Sequence, residues 1–423
     1  MSHNTTDTLS PRARRGIALR LMLPFALAYC LSHIYRSANA VIAPELVASL
    51  NLNAADLGLL SSTFLLAFAL AQLPLGVLLD LLGPRRVNAA LLVIAAMGGF
   101  LFSFSSHITT MAIARAMMGL GVAACLMAAL KAMSNELPSH WLMPMHSIMV
   151  AIGGLGAIIA TAPVETIVRL IGWRAVFILL AVATLIAAFV LFYATPPTRK
   201  SRRSISWNKE ITGLKIAFKH WFFIGVGPAV GLLQGGFMAI QTLWAGPWLY
   251  HVIGLDRVQV GYYLLLTATG MVVGYLTNGW LGAKFAQWGI NPIFVALAGS
   301  ALLLVTLATI ILMGPQALLP LWILYGFFGT SAPMCFALIG QEVPAQYVGR
   351  VSTSINFLVF AVGFVFQWGI GAVIRLCSHS SIGFSTEQAY QLAFTVALML
   401  QVAGWFWLAR TALLMHRSPS MDV

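Results

Sequence analysis

Residues 57–86 read LGLLSSTFLLAFALAQLPLGVLLDLLGPRR. No charged residue occurs from Leu57 to Leu79. Asp80 is the first, and the run then stops at Gly83-Pro84 with Arg85 and Arg86 behind it. A helix needs about 20 apolar residues to cross a hydrocarbon core, rising 1.5 Å per residue. This stretch meets that need, and the glycine-framed basic turn behind it ends the span.

Working outward, the same pattern fills the chain. Of 423 residues, 60% are hydrophobic and 8% are charged, against about a quarter charged in soluble domains. Too little polar surface is available to coat a water-soluble particle, which excludes an ordinary cytosolic enzyme, a nucleic-acid-binding domain and a disordered scaffold. The apolar runs are long and continuous, not short and alternating, so a β-barrel is also excluded. Hydropathy places spans near 17–46, 57–80, 87–106, 109–133, 143–168 and 174–194, then 221–251, 258–282, 292–313, 318–340, 350–376 and 389–413. The first run is too long for a signal-peptide core and reads as an uncleaved span. The expectation is an all-α membrane protein of twelve transmembrane helices with both termini on one side.

Basic residues test that topology. Of the 24 Lys and Arg, 18 fall on the side of the termini, including Arg85, Arg86, Lys131, Lys284 and Arg350. Four (Arg169, Arg174, Arg257 and Arg375) fall on the other, and Arg36 and Arg115 lie inside spans. This distribution obeys the positive-inside rule. The termini are therefore expected in the cytoplasm, with the protein in a bacterial inner membrane. The net charge of +13 is topological, and no nucleic-acid partner is implied.

A basic break divides the chain into residues 1–198, a linker 199–219, and residues 220–423. Ile205, Trp207, Ile211, Leu214 and Phe218 interleave with its basic residues, as in a helix lying in the headgroup layer. Asn135-Glu136-Leu137-Pro138 recurs as Gln341-Glu342-Val343-Pro344, 206 residues later. The turn from Gly76 to Arg86 has a counterpart beginning at Gly279, 203 residues on. Two six-span bundles in parallel repeat suit a transporter that rocks about a central site.

Gly76-Val-Leu78-Leu-Asp80-Leu-Leu-Gly83-Pro-Arg85-Arg86 resembles the signature loop between spans two and three of the major facilitator superfamily. Arg115-Ala-Met-Met-Gly119-Leu-Gly121 resembles its second motif, and Gly172-Trp173-Arg174 is also common in it. The resemblance covers the whole chain and implies two pseudosymmetric six-helix bundles. It implies that Asp80 is a gate, latching the halves by facing Gly349-Arg350, and that Arg115 serves coupling. Ala283 and Lys284 replace the second-half aspartate, so no second latch is expected. Val41–Glu45, Leu243–Leu249 and Gln367–Gly371 look similar to bacterial metabolite permeases often likened to sugar-phosphate permeases. The proton exporters' glycine-proline motif is incomplete in span five, where Ala162-Pro163 is followed by no glycine pair.

Charged groups inside spans are costly and usually face a cavity. Span one carries Ser32-His33-Ile34-Tyr35-Arg36-Ser37-Ala38-Asn39, with His33 and Arg36 on one face. Arg36 offers a fork suited to a carboxylate or phosphate; the competing reading pairs it with backbone carbonyls or a structural carboxylate. Gln234, Gln241, Trp244 and Trp248 form a helical stripe in span seven, read as a cavity wall with a flexible outer gate. Asn356 and Gln367 in span eleven complete the candidate substrate contacts, with Asn278 nearer the membrane surface. Glu165 is the best-placed carboxylate for a proton, although an i,i+4 pair with Arg169 is the plainer reading. His33 and His146 could also titrate. Lys131 and Glu136, near the cytoplasmic end of span four, are close enough to pair locally and read as interface charges. Met143, Met145, His146 and Met149, with Cys125, Met127, Met334 and Cys335, supply soft ligands for Cu(I), but methionine also fills gaps in packed spans. The cysteines show neither disulfide nor zinc spacing.

The function these features favour is secondary active transport by alternating access, as proton-coupled uptake of a small organic anion. Rivals are a drug or metabolite/proton antiporter, a copper importer and a nutrient sensor. No nucleotide-binding loop is present, and no nucleophile–base pair suggests an enzyme. The expected partners are the solute, a proton and membrane lipids, with no cofactor and the chain acting as a monomer.

Overall fold

Lipid offers no hydrogen bonds, so a spanning backbone must satisfy its own N–H and C=O groups. The computed structural model accordingly contains helices and no strand among the residues it describes, 11–136, 139–196, 207–344, 347–380 and 383–417. Leu137-Pro138 and the linker's Arg199, Lys200, Arg202, Arg203 and Ile205 lie outside these residues. So do the side chains of Arg12, Arg14, Arg15, Arg20, Glu136, Met143, Trp207, Lys209, Ile211, Leu214, Ala283 and Arg417.

α1 (Pro11–Leu50) is followed by α2 (Ala54–Leu82), which starts at a capping box formed by Asn53 and Asp56. Gly83, at φ 82°, turns the chain into α3 (Pro84–Phe104) through a backbone that only glycine adopts without strain. Span four is broken at Ala123 into α4 (Ile108–Val122) and α5 (Cys125–Glu136). Span five comprises α6 (Ser139–Ile159) and the start of α7 (Ala162–Ala194), with Pro163 in the first turn of α7. Gly172, at φ 78° and ψ 158°, separates that start from span six. The expected linker helix is α8 (Trp207–Lys219).

Span seven is composite: α9 (Trp221–Ala239), a π-helical turn Ile240–Trp244, then α10 (Ala245–His251). α11 (Arg257–Gln287) and α12 (Pro292–Met313) come next. Span ten breaks as span four does, into α13 (Leu319–Phe328), a 3-10 segment Ala332–Leu338 and α14 (Ile339–Glu342). Its break at Gly329 lies 206 residues after Ala123, the offset of the sequence repeat. α15 (Val348–Ser378) and α16 (Thr386–Arg417) end the chain.

Ten stretches among the described residues are long and apolar enough to cross a membrane. The other two expected spans are α1, diluted by its polar middle, and α6, whose apolar described part is the shorter Ile148–Ile159. Helices α1–α7 pack mainly on one another, as do α9–α16. The groups meet along α2 against α15, α1 against the π turn and α10, and α11 against α6 and α7.

These meetings are uneven along the bundle axis. At the end carrying Glu45 and Arg257 they are tight: a Cβ on Gly246 would collide with the Ala40 carbonyl, and one on Gly58 with the Gln367 carbonyl at 2.7 Å. At the end carrying Asp80, a Cβ on Gly76, Gly340 or Gly349 would meet nothing within 4 Å. Among the described residues, neither α5 nor α14 packs extensively on the opposite group. The bundles are closed at the Glu45 end and splayed at the Asp80 end.

Candidate functional site

Arg36 lies near the middle of α1, where the two helix groups meet. Its guanidinium carbon is 5.0 Å from the centre of the Phe68 ring on α2 and 4.8 Å from that of Phe360 on α15. The two rings stack with centroids 4.0 Å apart. One cation therefore touches an aromatic pair drawn from both halves. Tyr29, Tyr275 and Cys125 are within electrostatic reach of it. Among the described residues no carboxylate is within ion-pair distance of Arg36, and its Nε is buried without an acceptor. Cation–π contacts give about 0.5–2 kcal/mol each, whereas withdrawing an ion from water costs several kcal/mol even after relaxation. The rings only partly offset that cost.

The neighbouring groups are polar and half-buried. His33 Nδ1 lies 3.3 Å from the Tyr29 carbonyl, and its ring meets that of Tyr29 edge-on. Both side chains press on α6 at Gly153, where a Cβ would clash with them. Gln234 of α9 lies beside Tyr275 of α11, close enough to act on its hydroxyl, and Gln234 Oε1 is buried without a hydrogen-bond partner. Asn356 stands one turn from Phe360 on α15 and is half-buried. Asn39 is more enclosed, donating to Ser61 Oγ at 2.9 Å.

The remaining candidates from span seven and span eleven form a different assembly. The π turn inserts one residue and rotates the helix beyond it by roughly 100°, so the expected single stripe is split. Gln234 stays beside Tyr275, whereas Trp244 and Trp248 are fully buried. Trp244 Nε1 donates to the Gln367 carbonyl at 2.9 Å, and its indole fills the space between Gly58 and Gly371. Gln367 Nε2 donates to Thr242 Oγ1 at 2.9 Å, and Gln241 is buried in the same turn. This is the closed end of the molecule. Asn278 is also engaged, donating to Thr330 Oγ1 at 2.7 Å.

Charged candidates occupy the two ends. Asp80 pairs with Lys131 of α5 at 2.6 Å. Lys131 thus finds its partner on another helix; the Glu136 side chain, near enough in sequence for local pairing, lies outside the described residues, and among the described residues no ion pair joins Asp80 to α15. The Arg350 guanidinium lies against Gly213 of α8. Arg85 donates to the Thr195 carbonyl at 3.0 Å, capping α7, and stacks on Phe192, while Arg86 is exposed. Arg115, 1% exposed, donates to the Tyr35 carbonyl at 3.1 Å and covers the Phe64 ring. At the opposite end Glu165 is 3.8 Å from Arg169, and Arg257 of α11 is 4.0 Å from Glu45 of α1. Arg257 and Glu45 also act electrostatically on Glu165, so one four-charge cluster joins the halves.

Among the described residues, no three His, Cys, Asp or Glu side chains come together as metal ligands. Met149 is fully buried, and Met127, Met145 and Met334 pack against the apolar core. Sequence reading missed Phe68, Phe360, Tyr29 and Tyr275. The only signal was a shared helical face, Tyr29 standing four residues before His33.

The profile of the Major Facilitator Superfamily matches residues 25–367. The probable L-galactonate transporter of Escherichia coli (strain K12) is 24% identical, over 83% of this chain and 82% of its own length. The hexuronate transporter of the same strain is 22% identical, over 72% of this chain and 73% of its own. A crystal structure of the nucleoside transporter NupG superposes with a TM-score of 0.74 at 14% identity, covering 93% of this chain and 99% of that one. A repeated helical fold that meets around one central cation, and a family profile matched over most of its length, lead to one statement: this chain belongs to the major facilitator superfamily of membrane transporters, and is not an enzyme.

Proposed function

We propose that this transporter carries a small organic anion into the cell by proton-coupled alternating access. The observation behind the proposal is Arg36: a cation at mid-membrane, touching both halves, with no carboxylate among the described residues to balance it. A substrate carboxylate supplies that balance through a charge-assisted fork. The likeness to proteins named as galactonate and hexuronate transporters supports an acid as the solute.

The positive-inside count supports placing the Asp80 end, and both termini, in the cytoplasm of the inner membrane. The conformation described is then inward-facing. Residues 1–198 and 220–423 act as the rocking units, with 199–219 as their basic tether. His33, Arg36, Gln234 and Asn356 contact the solute, while Asn39, Gln241, Trp244 and Gln367 close the path above it. Asp80, Arg85, Arg86 and Arg115 hold the cytoplasmic side and the support of α1. Glu165 takes the proton: it is the only carboxylate among the described residues that is buried, and its charge helps hold Arg257 across the outer gate.

Uptake of radiolabelled L-galactonate and D-galacturonate into proteoliposomes tests this. An inward proton gradient is expected to drive accumulation, and Arg36→Ala to reduce it at least ~30-fold, the usual range for an unpaired buried charge contact. Glu165→Gln is expected to abolish gradient-driven accumulation while sparing exchange. Accumulation that Arg36→Ala leaves unchanged would overturn the reading.

A further inference from the structure

We infer that the central site selects monocarboxylates that carry hydroxyl groups, and rejects dicarboxylates of the same size. This rests on the organic-anion reading above and narrows it.

Charge sets the first requirement. Arg36 and Arg115 are the only lysines or arginines inside the spans, the others lying towards span ends, in loops or in tails. Arg115 is sealed from the centre: its guanidinium is spent on the Tyr35 carbonyl, the Met118 sulfur and the Phe64 face. Arg36 is therefore the one fixed positive charge the centre presents. Among the described residues, no negative charge faces it. Glu45 and Glu165 are held at the closed end by Arg257 and Arg169, and Asp80 is held at the open end by Lys131. A ligand with one negative charge leaves the site neutral. A second negative charge would enter the same low-dielectric space with no partner, at a desolvation cost large enough to weaken binding many-fold.

Hydrogen bonding adds a second requirement. The Tyr29 carbonyl can only accept, so His33 donates to it through Nδ1–H. In the neutral ring Nε2 is then an acceptor. Gln234 Oε1 is a second acceptor, buried and without a donor. Acceptors of this kind are satisfied by O–H groups, and an aliphatic chain placed against them would leave them unpaired. The site thus pairs one donor fork for a carboxylate with acceptors for hydroxyls, beside the buried, stacked rings of Phe68 and Phe360. A site built to bond hydroxyls discriminates strongly against analogues that lack them.

Four six-carbon compounds separate these requirements: L-galactonate (one carboxylate, hydroxylated), galactarate (two carboxylates, hydroxylated), galactitol (no carboxylate, hydroxylated) and hexanoate (one carboxylate, no hydroxyl). Dissociation constants would be measured by titration calorimetry on the purified full chain at pH 7.5. Galactonate is expected to bind, galactarate at least ~30-fold more weakly, and hexanoate at least ~10-fold more weakly. Galactitol is expected to give no heat. Gln234→Leu, checked for folding by its melting temperature, should weaken galactonate but not hexanoate, closing the gap between them. If that variant fails to fold, the wild-type ratios alone decide. Galactarate binding as tightly as galactonate would overturn the charge selection, and hexanoate binding as tightly would overturn the hydroxyl selection, both leaving the organic-anion reading intact. Silence towards galactonate, galactarate and hexanoate alike would overturn that reading and this inference with it.

Discussion

At the scale of single residues, the chain holds two buried arginines in different ways. The Nε of each is buried without an acceptor, but Arg115 also donates to a carbonyl and covers one aromatic face, whereas Arg36 is met by two aromatic faces and, among the described residues, by no carbonyl. Native proteins keep such uncompensated charge where a ligand uses it, at a cost in stability. Replacing Arg36 with methionine, of similar length, is therefore expected to stabilise the ligand-free protein by about 1–3 kcal/mol. Scanning fluorimetry should show a higher melting temperature, together with loss of any stabilisation by galactonate. A lower melting temperature would mean that Arg36 is a structural strut. The sequence made Arg36 legible because an intramembrane charge stands out against apolar neighbours. Phe68 and Phe360 were not legible, since a phenylalanine in a span looks the same whether it packs in the core or faces a cation. Pairing was equally hidden: Lys131 and Asp80 are 51 positions apart, and only the packing of α5 on α2 brings them together.

At the scale of elements, span seven shows what periodicity can and cannot reveal. A regular 3.6-residue repeat puts Gln234, Gln241, Trp244 and Trp248 on one face, and the π turn at Ile240–Trp244 breaks that register. Neither glycine nor proline marks the turn itself; tertiary contact of Trp244 with Gly58, Gly371 and the Gln367 carbonyl accompanies it. The breaks in spans four and ten were likewise invisible to hydropathy, which averages over them. Close approach at the outer gate depends on small residues, above all Gly246 against Ala40. Gly246→Ala is expected to hold the Glu45 end apart. Spin labels at His107→Cys and Gln316→Cys, both exposed, would then report a longer distance by double electron–electron resonance, with driven uptake reduced at least ~10-fold. An unchanged distance would show that α1 and α10 accommodate the extra methyl group without opening.

At the scale of the whole molecule, the fold class was legible because lipid leaves few options: apolar runs become helices, and basic loops face one way. The internal repeat was legible too, in the 206-residue offset that spans four and ten share. The conformation was not. Which end is closed depends on the balance between contacts such as Trp244–Gln367 and Arg257–Glu45 at one end and those the Asp80 end makes when it shuts. That balance is set by differences of a few kcal/mol that no motif encodes. Alternating access predicts that the ends move in opposition about Arg36. The direct test adds a second spin-label pair at the Asp80 end, Ser134→Cys with Gln341→Cys, both exposed, to the pair at His107 and Gln316, in separate samples with and without galactonate. Galactonate is expected to lengthen the His107–Gln316 distance in part of the population and to shorten Ser134–Gln341 in the same proportion, and Arg36→Ala to abolish both shifts. Distances that stay fixed, or that lengthen together, would contradict alternating access about Arg36.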